Sequence, residues 1–317
     1  MQKVLFIDTA HPVLKEELTQ IGYTCEDFTS KSYDECAKII NRYEGAVIRS
    51  KINFDKALLD AATGLKFIAR VGAGMESIDV DYAKQKGIAC FNSPEGNRDA
   101  VAEHALAMLL NLFNNLHKAN AQVKSGVWKR EENRGIEIKG KTIGIIGCGN
   151  MGNAFAERLC GFGCNVIAYD KYKTGYTSQF VKETSMQELY ETCDVVSLHL
   201  PLTDETKYLV NENFINKFKK DFWLINTARG KIVDTQALVH ALQSGKIKGA
   251  GLDVNEYEKT SFEEISTADM PEPLKYLVSS DNVILTPHIA GWTHESKYKL
   301  AKVLADKIKQ WALNKAQ

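Results

Sequence analysis

The chain has 317 residues, 44% hydrophobic and 25% charged, with 40 Lys+Arg against 40 Asp+Glu. That is ordinary globular composition with room for two domains, and the balanced charge offers neither the basic surface of a nucleic-acid-binding protein nor an attraction to anionic membrane. No apolar run reaches transmembrane length, Met1–Ala10 reads as a strand start and not a signal peptide, and seven scattered cysteines without a Cys-x-x-Cys pair point to reduced thiols in a cytoplasmic protein.

Short apolar runs alternate with helix-length amphipathic stretches. Val4–Ile7, Ala46–Arg49, Lys66–Ala69 and Ile88–Phe91 read as a first set of strands. Asn97–Leu116 then reads as one long helix. Its Val101, Ala105, Met108, Leu112 and Leu116 recur at helical spacing, and Leu106, Leu109 and Phe113 widen the stripe enough to pack on two neighbours. A second strand set follows: Thr142–Ile146, Asn165–Tyr169, Val195–Leu200, Phe222–Asn226, Gly249–Val254 and Val283–Leu285. Lys259–Asp281, with Pro271 and Pro273, reads as a long surface loop or a single helical turn. A last helix runs from about Glu295 to Leu313. Short apolar strands between helices predict α/β architecture, with parallel sheets covered on both faces. The two long helices stand where the strand sets meet or end, which makes them candidate crossovers between domains. Cys160 and Cys164 lack neighbouring His or Cys at zinc spacing, so no metal is expected.

Gly147-Cys148-Gly149-Asn150-Met151-Gly152 follows a strand and opens a helix, read as Asn153–Leu159. In that setting a Gly-x-Gly-x-x-Gly run binds a dinucleotide. The first glycine permits the turn, the second lets backbone approach a pyrophosphate, and the third lets helix and strand pack closely. The helix N-terminus offers free N–H groups and partial positive charge to phosphate. The next strand ends in Asp170, whose carboxylate suits ribose hydroxyls and repels a 2′-phosphate, so NAD is favoured over NADP. Lys171 and Lys173 soften that preference. A glycine-rich turn without a ligand is the plainer alternative.

Of seven histidines, His288 stands apart, because it follows Val283–Thr286 and Pro287 at the C-terminal end of a strand. Ligands of open α/β sheets bind beyond such ends. Two other strand ends bring Arg229, in "LINTARG", and Asp253 with Glu258, in "AGLDVNEYE". An arginine, a carboxylate and a histidine suit oxidation of a hydroxy acid. The guanidinium grips a carboxylate and polarises a carbonyl, the imidazole exchanges the alcohol proton, and a glutamate beside it stabilises imidazolium. Position alone leaves this open against three unrelated surface or ion-pair residues.

Taken together, "GKTIGIIGCGNMG", "DVVSLHLPLT", "LINTARGKIVD", "GAGLDV" and "NVILTPHIAG" make the chain resemble the D-isomer-specific 2-hydroxyacid dehydrogenase family over nearly its whole length. The resemblance implies a catalytic trio of Arg229, Glu258 and His288, with His288 as acid/base, Glu258 as its partner and Arg229 as the carboxylate and carbonyl anchor. His294, the rival histidine, falls outside the match. The implied cofactor is NAD, held by Gly147, Gly149, Asn150, Met151, Gly152 and Asp170, with Leu200 on the adenine side. Thr227 and Ala228 would line the nicotinamide ribose, and Asp253 would bind the carboxamide. The implied fold has two doubly wound parallel-sheet domains. A Rossmann coenzyme domain, residues 98–288, is inserted into a discontinuous flavodoxin-like substrate domain, residues 1–97 and 289–317, with the active site between them.

Within the family the pattern is most similar to the phosphoglycerate dehydrogenases, in which arginines like Arg49 and Arg70 meet the substrate phosphate. Ser50, Asn97 and the turn at Val71 and Gly72 would complete the substrate side, the turn giving backbone N–H groups to a carboxylate. A glyoxylate or hydroxypyruvate reductase is the alternative on the same frame, and an NAD-sensing corepressor-type binding protein the third reading. A homodimer formed through the coenzyme domains is implied, with no nucleic-acid or membrane partner. Asn150 stands where relatives often have arginine, and Trp292 where smaller residues are common, which would narrow the pocket mouth. No C-terminal regulatory extension is present in the sequence, so feedback of the serine-sensing kind is not expected.

Overall fold

The computed structural model describes residues 2–258 and 270–316. The chain divides into two compact units, Met1–Arg98 with Trp292–Gln317, and Asp99–Gly291.

The first unit carries β1 (Gln2–Phe6), β2 (Tyr23–Asp27), β3 (Gly45–Ile48), β4 (Phe67–Arg70) and β5 (Ala89–Phe91). They form one parallel sheet in the order β2-β1-β3-β4-β5, the flavodoxin-like arrangement. Side chains alternate between its faces, as a strand's period of two requires. Leu5, Ile7, Ala46, Ile48 and Ile68 face one layer, with Leu58 and Leu59 of the helix Lys56–Ala61. Val4, Phe6, Val47, Phe67 and Ala69 face the other. There Leu14 and Leu18 of the helix Pro12–Gln20 meet Ala301, Leu304, Ala305 and Ile308 of the helix His294–Ala316. The last helix thus completes the core that the first strands begin.

The second unit carries β6 (Thr142–Ile146), β7 (Asn165–Tyr169), β8 (Lys182–Glu183), β9 (Val195–Leu198), β10 (Phe222–Asn226), β11 (Ile247–Leu252) and β12 (Val283–Leu285). All are parallel, in the order β12-β11-β10-β9-β6-β7-β8. The chain runs outward from β6 in one direction and then from β9 in the other, so a topological switch point lies between them, where such sheets bind ligands.

The structure departs from the sequence reading at several points, most clearly in the helices. The helix opened by the glycine run spans Asn150–Arg158, beginning inside the run. The long helix is Arg98–Phe113 and stops short of Leu116, because Asn115 takes a left-handed conformation (φ 52°) and a separate helix, Leu116–Lys124, begins. Its Ala102, Ala105, Met108, Leu109, Leu112 and Phe113 are buried against Ile143, Ile145, Val195 and Ile225, so its stripe serves its own unit. Pro271 and Pro273 open a helix, Glu272–Ser279, that buries Leu274 and Leu277; proline is tolerated in a first turn, where its missing N–H has no partner to lose. Residues 259–269 of the expected loop lie outside the described residues.

Candidate active site

Within the second unit, the glycine run sits at the switch point. Gly147 has φ +94°, and a Cβ there would stand 2.4 Å from the carbonyl oxygen of His199 and 2.9 Å from Leu200 Cδ2. The turn after β6 therefore lies against the turn after β9. At Gly152 a Cβ would meet Gly147 O at 2.1 Å, so its absence lets helix and strand close together. Gly149 differs from both. Its φ of −87° suits any residue, and a Cβ would meet no protein atom within 4 Å. Neither backbone nor packing requires glycine there, which fits a ligand that comes close to the main chain. Asn150 and Met151 follow it as the first residues of a helix whose N-terminus has no side-chain cap.

Asp170, just after β7, accepts from Cys148 N at 2.9 Å through Oδ2, and from Tyr172 N and Lys173 N at 3.0 and 3.1 Å through Oδ1. Its carboxylate therefore also braces the glycine turn. Lys171, a possible attraction for a 2′-phosphate, is paired with Glu205 at 2.9 Å.

After β10, Asn226 ties the turn that presents Thr227, Ala228 and Arg229. Its Oδ1 accepts from Ala228 N and its Nδ2 donates to Arg229 O, both at 3.0 Å. Arg229 Nη1 donates to Ala228 O at 2.6 Å. The Thr227 hydroxyl is enclosed without a hydrogen-bond partner, and its chemistry suits a polar ligand group.

Beyond β11 and β12, His288 Nδ1 lies 3.2 Å from Glu258 Oε2. His288 has φ +57°, a strained conformation for a non-glycine residue. Asp253, 1% exposed, holds the segment that carries it. Its backbone oxygen accepts from His288 N at 2.8 Å. Its Oδ1 accepts from Thr286 Oγ1 at 2.5 Å and Ile289 N at 2.8 Å, and its Oδ2 from Ala290 N at 2.8 Å. Two carboxylate oxygens offer about four acceptor positions, so one position on Oδ2 is left.

The expected substrate residues of the first unit cluster at the C-terminal ends of β3, β4 and β5. Asp8, after β1, accepts from the backbone N–H groups of Arg49, Ser50 and Lys51 at 2.5, 3.1 and 3.2 Å and so shapes the Arg49 turn. The Arg49 guanidinium lies over the ring of Trp292, 4.1 Å from its centroid, and makes no ion pair among the described residues. Burial pulls its pKa down from the usual value, offset in part by Asp8, but an arginine stays charged. Arg70 folds over Gly72, where a Cβ would lie 1.6 Å from Nη1. Val71 N donates to Ile48 O, and Ser93 N to Gly72 O, joining the three turns. Ser93 Oγ and Asn97 Oδ1 are enclosed without hydrogen-bond partners.

The remaining histidines have other work. His11 caps the helix Pro12–Gln20, His240 pairs with Glu212, and His294 is exposed at the start of the last helix. Burial pushes the His199 imidazole down to about 4, and it shares a 2.9 Å hydrogen bond with Ser197. His104, on the helix Arg98–Phe113, was not singled out from the sequence, yet its Nε2 lies 3.0 Å from Thr286 Oγ1 and 3.6 Å from Asp253 Oδ1. Asp8, Asn226 and Thr286 were also missed. Asp8 and Asn226 do stand at strand ends, which was the available signal.

A family model described as the NAD-binding domain of D-isomer specific 2-hydroxyacid dehydrogenases matches residues 106–290. The hydroxypyruvate reductase of Thermotoga maritima is 37% identical over 299 residues, 93% of this chain and 94% of that protein. The D-3-phosphoglycerate dehydrogenase of Archaeoglobus fulgidus is 36% identical over 304 residues, 94% of this chain but 56% of that protein. The chain thus spans about half the length of the phosphoglycerate dehydrogenases it matches. Among solved structures, a D-lactate dehydrogenase from Aquifex aeolicus complexed with NAD and lactic acid has a TM-score of 0.82 at 31% identity, covering 99% of this chain and 96% of that one.

Proposed function

The chain belongs to the D-isomer specific 2-hydroxyacid dehydrogenase family, its second unit being the NAD-binding domain, and from that premise we propose that it interconverts a D-2-hydroxy acid and its 2-keto acid, with 3-phosphohydroxypyruvate as the preferred keto acid. The nicotinamide supplies or takes the hydride at C2 of the acid. The protein's part is binding, orientation and proton transfer.

The glycine run and the helix N-terminus from Asn150 and Met151 hold the pyrophosphate, Asp170 the ribose hydroxyls, and Leu200 the adenine side. Thr227 and Ala228 line the nicotinamide ribose, and the last acceptor position of Asp253 takes the carboxamide N–H. His288 gives a proton to the carbonyl oxygen during reduction and takes it back during oxidation. Glu258, on the other ring nitrogen, holds the ring and balances the charge of imidazolium. Arg229 grips the carboxylate and polarises the carbonyl.

The observation behind the substrate choice is the Arg49 guanidinium, partly desolvated and without an ion-pair partner among the described residues. A cation kept in that state favours an anion of the substrate. Arg70, Ser50, Asn97 and the N–H groups of Val71 and Gly72 complete the substrate set. Charged hydrogen bonds contribute about 1.5–3 kcal/mol each, so Arg49→Ala and Arg70→Ala should each raise the KM for 3-phosphohydroxypyruvate by about 10- to 100-fold. Unchanged kinetics on the phosphorylated acid would overturn the substrate choice. The second reading, a hydroxypyruvate or glyoxylate reductase, is favoured by the near full-length match to the Thermotoga protein.

A cytoplasmic homodimer completes the proposal. Among the described residues no helix is long and apolar enough to cross a membrane. Leu116, Val123, Val127, Trp128 and Ile136 of the second unit are exposed apolar side chains within one segment, a surface suited to a second copy. Sedimentation would test it.

A further inference from the structure

The segment that carries His288 is tied to one residue from both sides. Thr286, His288, Ile289 and Ala290 all donate to Asp253, two of them from the residues directly after the histidine. These bonds offset the strain of a left-handed histidine. The direction of His288 therefore depends on where the Asp253 carboxylate is held.

Asp253 is in turn faced by His104, which is carried on the helix Arg98–Phe113. The protons can be assigned from the chemistry. A carboxylate only accepts, so the single hydroxyl proton of Thr286 goes to Asp253 Oδ1 at 2.5 Å. The Thr286 oxygen, 3.0 Å from His104 Nε2, must then accept from an Nε2–H. The result is a directional chain: His104 donates to Thr286, Thr286 to Asp253, and Asp253 receives the backbone on both sides of His288.

We propose that His104 and Thr286 are positioning residues, acting through Asp253 to aim His288; the inference rests on the acid/base role given to His288 above. Neither need touch substrate. Thr286 joins His104 to Asp253 through a single hydroxyl, so replacing it with a methyl breaks the hydrogen-bonded chain and leaves the shape nearly unchanged.

The test is steady-state reduction of 3-phosphohydroxypyruvate, and of hydroxypyruvate, by NADH, with NADH affinity and melting temperature measured on the same samples. The variants are Thr286→Val, Thr286→Ser, His104→Leu, His104→Gln and His288→Gln. A misplacement of about 1 Å at a reacting group costs up to about 100-fold. Thr286→Val and His104→Leu should therefore lose about 10- to 100-fold in kcat on whichever acid is turned over, with KM, NADH affinity and melting temperature close to the parent. Thr286→Ser and His104→Gln restore a donor and should recover most of the rate. Parental kcat in Thr286→Val, equal loss in Thr286→Ser, or loss of NADH affinity in step with kcat would each overturn the proposal. His288→Gln separates the two levels: if it keeps the parental rate, the acid/base reading has failed; if it loses its rate while Thr286→Val keeps the parental kcat, only the positioning chain has.

Discussion

His288 Nδ1 lies 3.2 Å from Glu258 Oε2, and both side chains are mostly enclosed, 27% and 21% exposed. The contact sets which ring nitrogen faces the carboxylate. General acid–base catalysis is worth about 10²–10⁴-fold, so His288→Gln should lose that much in kcat while still binding NADH. Glu258→Gln keeps the shape but not the charge, and should lose less than the histidine variant. Titrating NADH by fluorescence alongside turnover separates binding from chemistry.

Two glycines of the run should fail in different ways. Gly152→Ala sets a Cβ 2.1 Å from Gly147 O, so it should cost about 1–3 kcal/mol of stability, as overpacking does. Gly149→Ala meets no protein atom. Its denaturation midpoint should stay at the parental value while its NADH affinity falls. A parental affinity in Gly149→Ala would mean that the open space there is not the cofactor's.

Gly72→Ala is expected to act through Arg70. The new methyl occupies the place of Nη1, and the flexible guanidinium is the part that moves. The KM for the keto acid should rise, by about tenfold or more if a charged hydrogen bond to substrate is lost, with NADH affinity unaffected.

Trp292→Ala removes the ring under Arg49. A cation–π contact is worth about 0.5–2 kcal/mol, so the KM for the phosphorylated acid should rise by about 2- to 30-fold. Trp292→Phe should retain part of the effect. Equal shifts for glyoxylate, which has no phosphate, would argue that the ring shapes the site generally and does not hold Arg49 for an anion.

His199 should give the fold an acid sensitivity. Burial holds its imidazole at about 4, whereas an unfolded histidine titrates near 6.5. Between those values the unfolded chain binds a proton that the folded chain does not, so stability is lost as pH falls from about 6.5 toward 4. At about 1.4 kcal/mol per pKa unit, the loss at pH 5 amounts to about 2 kcal/mol. Urea denaturation at pH 7 and pH 5 should show that loss in the parent and much less of it in His199→Asn.

The sequence made the middle of each sheet legible and left one edge of each dark. Phe222–Asn226 and Thr142–Ile146 are apolar runs because neighbours cover both their faces, and their bounds could be read directly. Tyr23–Asp27 and Lys182–Glu183 are edge strands with polar, partly exposed residues, and nothing in their composition marks them. The end of the long helix was misplaced because Asn115 turns left-handed without a glycine or proline to announce it. The glycine run and the residues Arg229, Glu258 and His288 were visible because each follows a strand. His104 was not, because its partner Thr286 is 182 residues away and only the fold brings them together. Asp8 also stands at a strand end, but the backbone N–H groups that give it its role come from Arg49, Ser50 and Lys51, which only the fold brings to it.

The most direct test of the central claim is NADH oxidation by the purified protein, comparing kcat/KM for 3-phosphohydroxypyruvate, hydroxypyruvate and glyoxylate. Turnover of 2-keto acids with a clear preference for the phosphorylated one is the expected result. A preference for an unphosphorylated acid would contradict the role given to Arg49 and Arg70 while leaving the hydride chemistry in place, and no turnover of any keto acid would contradict the activity itself.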